Sequence, residues 1–137
     1  YTNTTGYVSF LGKTAAQITQ LGYPAAFESG LRMIRTDSLG YHAAPNNVLI
    51  GSNQTEGSSG GPWIVNFGTN PATTTSTPSY NDSNRVVGTT SWGYSDSSLK
   101  VQGASRFGNN KAYPDGGPTN IQSLITFACQ QNAGACN

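Results

Sequence analysis

Apolar and polar residues alternate over short stretches of this 137-residue chain, and each stretch ends at Gly, Pro, Asn or Ser. A period of two residues places successive side chains on opposite faces, so the alternation predicts β-strands. The stretches that show it cover residues 6–11, 17–22, 31–36, 48–52, 63–66, 85–91 and 102–107. Short strands that follow one another without intervening helices favour an antiparallel barrel over βαβ units. We therefore expect an all-β barrel in a single domain, residues 1–137.

Two segments depart from the strand pattern. Residues 67–84 are rich in Ser, Thr and Pro and have no apolar period, which predicts a long exposed loop between two strands. Residues 119–131 predict a C-terminal helix that follows Pro118, with Thr119 or Asn120 as its N-cap. Its apolar residues recur at helical spacing, so we expect this face to pack on the barrel: Ile121, Leu124, Ile125 and Ala128.

The composition narrows the classes of partner. Charged residues make up only 9% of the chain and the net charge is +1, which argues against nucleic acid and anionic membrane surfaces as partners. The sequence contains no apolar run near the roughly 20 residues that a membrane-spanning helix needs. The abundance of Gly, Ser, Thr, Asn and Gln is typical of secreted hydrolases, so we expect an extracellular protein. No cofactor is expected.

Two cysteines, Cys129 and Cys136, lie near the C-terminus. Without clustered histidines they do not make a zinc site, so no metal is expected. Free thiols are possible, but a disulfide that closes the tail after the last helix is the favoured interpretation. Such a bond would imply an oxidising compartment.

The motif Gly-Ser-Ser-Gly-Gly-Pro at 57–62 is the main candidate for chemistry. One interpretation is the nucleophile elbow of α/β-hydrolases, which requires a strand before the serine, a helix after it and a later histidine. Residues 51–56 are loop-like, residues 63–65 predict a strand, and no histidine follows Ser59. The elbow is therefore excluded, and the motif alone leaves a plain Gly/Ser-rich loop as the alternative to a catalytic one.

Further segments in the same order give this motif a context. A strand at 86–93 ends in Ser-Trp-Gly, and the segment Gly-Ala-Ser-Arg at 103–106 begins twelve residues beyond Ser91. With the early strand at 16–24 and the closing helix, the chain resembles the C-terminal, nucleophile-bearing barrel of the chymotrypsin/trypsin-like serine peptidases. Within that family, the sequence is most similar in character to the secreted microbial members. The resemblance implies a trypsin-fold barrel that forms one half of a two-barrel enzyme.

The resemblance also implies roles for particular residues. Ser59 would be the nucleophile, and the N–H groups of Gly57 and Ser59 would form the oxyanion hole, where each donor typically contributes about 10²–10³ in rate. Gly60 and Gly61 would let the substrate backbone approach. Ser58 replaces the Asp that many animal members pair with a new N-terminus, so that activation switch is not expected.

The specificity pocket can be assigned in the same way. The resemblance places substrate-binding residues at Asn53, Ser91, Trp92, Gly93 and Gly103. Asn53 stands where trypsin-like members that prefer Lys or Arg have Asp, six residues before the nucleophile. A neutral pocket that admits large or medium apolar side chains is therefore expected.

The rest of the triad is missing from this sequence. The family reacts through Ser, His and Asp, and its members take both the His and the Asp from the first barrel. The only histidine, His42, lies among residues that predict an exposed loop, 40–45. We therefore expect a two-chain serine endopeptidase, a heterodimeric hydrolase of polypeptides. Its companion would be an N-terminal barrel chain from the same precursor that carries the catalytic His and Asp.

Two other functions fit the same residues. A non-catalytic binding module could keep a protease-like barrel and the 57–62 motif after losing the triad. Alternatively, a complete but unusual hydrolase could use His42 as its base.

Overall fold

A computed structural model describes residues 8–10, 13–44, 47–69, 83–106 and 121–132. Within them the chain forms strands, one short 3₁₀ turn and one helix. These are β1 (Val8–Phe10), β2 (Lys13–Gly22), the 3₁₀ turn (Glu28–Gly30), β3 (Ile34–Ala44), β4 (Asn47–Gly51), β5 (Pro62–Val65), β6 (Arg85–Gly93), β7 (Val101–Arg106) and α1 (Ile121–Gln131). The prediction of an all-β architecture with a C-terminal helix is confirmed.

The strands form one antiparallel sheet with the order β1-β2-β3-β4-β7-β6-β5. β5 also pairs with β2, which aligns Ile18 with Val65 and Gln20 with Trp63. Strands β2 to β7 therefore form a closed ring of hydrogen-bonded neighbours, and β1 is added to the first residues of β2. Closure removes the free strand edges of the ring and gives it an enclosed interior.

The interior of the ring is filled from several strands. Its largest fully buried side chain belongs to Trp63 on β5, whose indole Nε1–H donates to Thr90 Oγ1 at 2.9 Å. Burial of a Trp ring with its N–H satisfied adds a large apolar contribution without an unpaired polar group. The buried apolar cluster consists of Ile18, Val48, Ile50, Trp63, Val65, Val87 and Ala104.

The prediction of an exposed loop at 40–45 is wrong for most of that range. β3 continues to Ala44, and His42 lies opposite Val48 of β4. The stretch escaped the period-two pattern because the β3–β4 register shifts between His42 and Ala44, which breaks the alternation. Pairing with β4, and with β2 as far as Tyr41, keeps the segment extended nonetheless.

Helix α1 begins at Ile121, and the predicted N-cap residues Thr119 and Asn120 lie outside the described residues. The side chains of Ile125 and Ala128 are exposed, so their predicted packing on the barrel is wrong. Helical periodicity tells which residues share a face, but it does not say which surface covers that face.

The predicted loop at 67–84 is described only at its two ends. These ends lie side by side, since the Gly68 N–H donates to Asn84 Oδ1 at 2.8 Å and the Asn84 N–H donates to Val65 O at 2.9 Å. Residues 70–82 lie outside the described residues. In the part of the chain that the structure covers, no helix combines the length and apolarity that crossing a membrane would take.

Candidate functional site

Ser59 lies on the loop that joins β4 to β5, here called the Ser59 loop (residues 52–61). Two successive turns shape it: the Ser58 N–H donates to Thr55 O at 3.2 Å, and the Gly61 N–H donates to Ser58 O at 3.0 Å. These turns bury Ser58, which is 2% exposed, and leave the next side chain, Ser59, exposed. The loop therefore presents one serine hydroxyl to solvent and retains the other.

Backbone hydrogen bonds fix the Ser59 loop on two sides. On one side, the Gly60 N–H donates to Thr90 O at 2.8 Å and the Thr90 N–H donates to Gly61 O at 2.9 Å. On the other side, the Ala25 N–H donates to Glu56 O at 2.7 Å. The loop is thus held between strand β6 and the segment that follows β2.

The backbone at Gly57 is one that only glycine adopts at low cost. Its φ is +90°, and a Cβ atom there would lie 2.5 Å from Tyr23 O. Within the described residues, neither the Gly57 N–H nor the Ser59 N–H donates a hydrogen bond, and the Ser59 hydroxyl has no partner either. The two donors predicted for an oxyanion hole are therefore without an acceptor in the part of the chain that the structure describes.

The other two glycines of the motif differ from each other. A Cβ atom on Gly61 would lie 2.1 Å from Leu21 O, so this glycine makes room for the chain's own backbone. A Cβ atom on Gly60 would meet nothing within 4 Å. Only Gly60 therefore leaves open space on the side from which a ligand backbone could approach.

A pocket of about 360 Å³ adjoins Ser59. This volume falls within the range of small-ligand sites in proteins. The structure brings four of the predicted site residues to its lining: Asn53, Ser59, Trp92 and Gly93. The remaining lining comes mainly from the Ser59 loop and from residues 94–102, which join β6 to β7.

Two predicted pocket residues lie elsewhere. Gly103 is covered by the Trp92 indole, because a Cβ atom on Gly103 would lie 2.1 Å from Trp92 Cε2. Trp92 in turn contacts Tyr94 in an edge-to-face arrangement with ring centroids 5.5 Å apart. Ser91 is exposed and is not part of the lining. Gly103 thus supports the wall by accommodating Trp92.

Beneath the pocket lies a buried network of polar side chains that the sequence pattern did not predict. Gln20 Nε2 donates to Thr90 Oγ1 at 2.8 Å and also to Gln102 Oε1, while the Ser52 hydroxyl donates to Gln20 Oε1 at 2.6 Å. Gln102 Nε2 donates to Gln54 O at 2.6 Å. The period of β2 offered a signal, because it places Gln20 on the same inward face as Ile18.

Gln54 connects the Ser59 loop to β3. Its Nε2 donates to Thr36 Oγ1 at 3.1 Å and to Ile34 O at 3.2 Å. Its Oε1 is buried without a hydrogen-bond partner among the described residues and lies against Gly22, where a Cβ atom would be only 2.4 Å away. The side chain therefore fixes the base of the loop and leaves one acceptor unsatisfied.

The charged residues that line the pocket are all exposed: Glu56, Asp96 and Lys100. Hydrogen bonds from the Ser98 hydroxyl and then from the Ser98 N–H lower the pKa of Asp96 below its usual value, so this carboxylate is ionised at neutral pH. In contrast, every buried side chain of the lining is uncharged. Charge is thus confined to the rim.

Among the described residues, the pocket beside Ser59 is lined by no histidine, and its carboxylates, Glu56 and Asp96, are exposed. His42 lies on β3 opposite Val48 of β4, outside the Ser59 loop. The described residues also hold no cluster of three or more His, Cys, Asp and Glu that could bind a metal ion. Cys129 is half-buried on α1, while Cys136 lies outside the described residues, so their pairing stays a prediction.

No protein-family model matches this chain, and no curated protein matches it.

Proposed function

We propose that this chain is the nucleophile-bearing barrel of a secreted serine endopeptidase with the trypsin fold. One observation carries the proposal: the Ser59 loop presents an exposed hydroxyl together with the N–H groups of Gly57 and Ser59, which have no partner among the described residues. The adjoining pocket of about 360 Å³ and the closed six-stranded ring are consistent with this role.

The proposed reaction is acyl transfer through Ser59. Its Oγ attacks the carbonyl carbon of a peptide bond while an imidazole takes the hydroxyl proton. The N–H groups of Gly57 and Ser59 donate to the oxygen that becomes negative. The tetrahedral intermediate collapses, the C–N bond breaks, and the imidazolium gives its proton to the departing amine. Water then hydrolyses the acyl-enzyme by the same steps.

The base would come from a second chain. Because the described residues of the pocket lining include no imidazole and their carboxylates, Glu56 and Asp96, are exposed, we propose that an N-terminal barrel from the same precursor supplies His and Asp. The Ser59 loop does not need an ion pair between the position of Ser58 and a new N-terminus to keep its shape. Instead, the Ser58 hydroxyl donates a hydrogen bond to Thr55 O at 2.6 Å within the loop. The loop geometry is thus maintained by uncharged contacts.

The missing base also supports a second candidate, a non-catalytic binding module. In that case the Ser59 loop and the pocket would bind a polypeptide without cleaving it. The two proposals differ in one property, the reactivity of the Ser59 hydroxyl.

A fluorophosphonate probe distinguishes the two proposals. It should label Ser59 in the preparation that contains both chains, and mass mapping should locate the label on the Ser59 peptide. Ser59→Ala should abolish labelling and proteolysis, whereas Ser29→Ala, which removes an exposed serine outside the pocket lining, should retain both. A label on another residue, or no label in a preparation that hydrolyses protein, would overturn the assignment.

A further inference from the structure

The buried lining of the pocket is polar but uncharged. It comprises Ser52, Gln54, Ser58, Thr90 and Gln102, each less than 9% exposed. A charged substrate side chain that entered would lose its hydration without meeting a buried counter-charge, which is costly. The pocket therefore disfavours Lys, Arg, Asp and Glu side chains at its inner end.

Apart from Gln54 Oε1, an acceptor that has no partner among the described residues, the hydrogen bonds of this lining are almost fully assigned, and its donors are nearly all in use. The Ser52 hydroxyl donates to Gln20 Oε1, and the Ser58 hydroxyl donates to Thr55 O. Gln102 Nε2 donates to Gln54 O at 2.6 Å and to Ser58 Oγ at 3.5 Å. These donors have no proton left for a ligand that does not displace an existing partner.

Thr90 is the exception. Its Oγ1 accepts from Gln20 Nε2 at 2.8 Å and from Trp63 Nε1 at 2.9 Å, which occupies both lone pairs. Among the described residues its hydroxyl donates to no acceptor. Thr90 is 5% exposed and belongs to the pocket lining. It is thus a buried donor that lacks an acceptor, and a ligand oxygen would satisfy it.

The walls nearer the mouth have a different character. The half-buried side chains of Trp92 and Val101 provide apolar surface, and Gly93 leaves that wall without a side chain. A substrate side chain with an aliphatic stem and a neutral oxygen acceptor at its end would match both regions.

We propose that the pocket selects glutamine at the residue whose carbonyl Ser59 attacks; this inference rests on the proposed peptidase function. The two methylenes of glutamine pack against the Trp92 wall, and its amide oxygen accepts a hydrogen bond from the Thr90 hydroxyl. Leucine or phenylalanine could occupy the same volume but would leave the Thr90 donor buried and unpaired. Glutamate offers an acceptor but brings an uncompensated charge.

The test uses the complete two-chain enzyme and peptides that differ only at this residue: Gln, Leu, Phe, Glu or Lys. We expect kcat/KM for Gln to exceed the other values by about tenfold or more, because a site with a buried donor rejects analogues that lack the acceptor. A ranking led by Leu or Phe would overturn the proposal, as would a ranking led by Glu or Lys.

Two variants assign the preference to the hydroxyl. Thr90→Val should lower kcat/KM for the Gln peptide about tenfold more than for the Leu peptide. Thr90→Ser should retain the Gln preference. An equal loss on both peptides would contradict the proposed contact, and if Thr90→Val does not fold, the wild-type ranking and Thr90→Ser still decide.

Fluorophosphonate labelling separates this inference from the function on which it rests. Labelled Ser59 with no Gln preference overturns the specificity alone. Absence of labelling in the wild-type complex overturns the peptidase function and the specificity with it.

Discussion

Ser58 and Ser59 are neighbours in the chain, yet the fold gives them opposite roles. The Ser58 side chain is 2% exposed, and its hydroxyl donates a hydrogen bond to Thr55 O. Ser58 therefore stabilises the loop. Ser59 is exposed and its hydroxyl has no partner among the described residues. The difference arises from the two turns that begin at Thr55 and at Ser58, which rotate successive side chains to opposite sides. Of the two hydroxyls, only that of Ser59 is available as a nucleophile.

Gly57 provides the sharpest test of the loop geometry. Gly57→Ala should destabilise the fold by at least about 2 kcal/mol, because it combines left-handed backbone strain with a Cβ atom 2.5 Å from Tyr23 O. The Gly57 N–H should also be displaced, so labelling of Ser59 should become slower. Denaturant unfolding and the labelling rate measure the two effects.

Gly68→Ala is the matched control for this change. Gly68 has a φ of +69°, but a Cβ atom there meets nothing within 4 Å, so only the backbone strain of about 1–2 kcal/mol applies. Labelling should be unaffected in this variant. Equal effects of the two substitutions on the labelling rate would contradict the role assigned to Gly57.

His42 decides whether the chain could act alone. Because His42 lies within β3 and not on the Ser59 loop, and the base is proposed to come from the companion chain, we expect His42→Ala to leave activity of the two-chain enzyme within a few-fold. Steady-state kinetics on one peptide substrate would measure this. A loss of about 10³ or more, the scale for removal of a triad member, would support the single-chain hydrolase.

At the scale of elements, period-two alternation located every strand of the ring but not every boundary. It predicted β3 at 31–36 and missed residues 37–44, of which only 42–44 lie at the register shift in the β3–β4 pair. The motif predicted the position of Ser59 and much of its pocket, because residues near in sequence to Ser59 and Trp92 form most of the lining. It could not predict the Gln20–Thr90 contact, which joins residues 70 positions apart and depends on the closure of the ring.

The buried polar network beneath the pocket should stabilise the fold as well as support the pocket. Gln20→Leu removes the partner of the Ser52 hydroxyl and of Gln102 Oε1, and each buried group left unsatisfied costs about 1–3 kcal/mol. We expect a loss of at least about 2 kcal/mol in denaturant unfolding. Gln17→Leu, a half-buried position three residues earlier on β2, should change stability by less than about 1 kcal/mol. Similar losses in both variants would contradict the network's role.

On the outer side of the β2–β3 pair, Asp37 gives a pH-dependent contribution to stability. The Arg35 Nε–H donates to Asp37 Oδ2 at 2.8 Å, and this bond, helped by the Thr19 hydroxyl, lowers the pKa of Asp37 from its usual 3.8. A lowered folded-state pKa stabilises the fold above the unfolded-state value, and that stability is lost as the pH falls through the lowered value.

The free energy of unfolding of wild type minus that of Asp37→Asn should therefore be positive near neutral pH. It should decline as the pH falls from 3.8 through the lowered folded-state value, because the carboxylate is protonated first in the unfolded state and only then in the folded state. Urea unfolding over a series of acidic pH values would measure the decline. Arg35→Gln should flatten the curve, because the guanidinium is the main cause of the shift. A difference that grows on acidification would contradict the assignment.

At the scale of the whole molecule, a closed ring with a well-buried core coexists with exposed large apolar side chains. Leu31 is 82% exposed beside the segment that contacts the Ser59 loop, and on α1 the side chains of Ile125 and Phe127 are 52% and 54% exposed. Exposed apolar groups are common singly, but larger patches of them mark surfaces that bind partners. A two-chain enzyme would cover such surface, whereas an autonomous binding module would have to remain soluble with it exposed.

The behaviour of the isolated chain should distinguish these cases. Obligate interfaces commonly bury more than about 2,000 Å², and at roughly 25 cal/mol per Å² of apolar area their loss is large beside a typical stability of about 5–15 kcal/mol. We expect the chain expressed alone to bind a hydrophobic dye, to aggregate as its concentration rises and to unfold over a broad temperature range. Co-expression with the N-terminal barrel should reverse all three. A soluble monomer with a sharp thermal transition would instead favour the binding module, because such a chain would need no companion barrel to cover it.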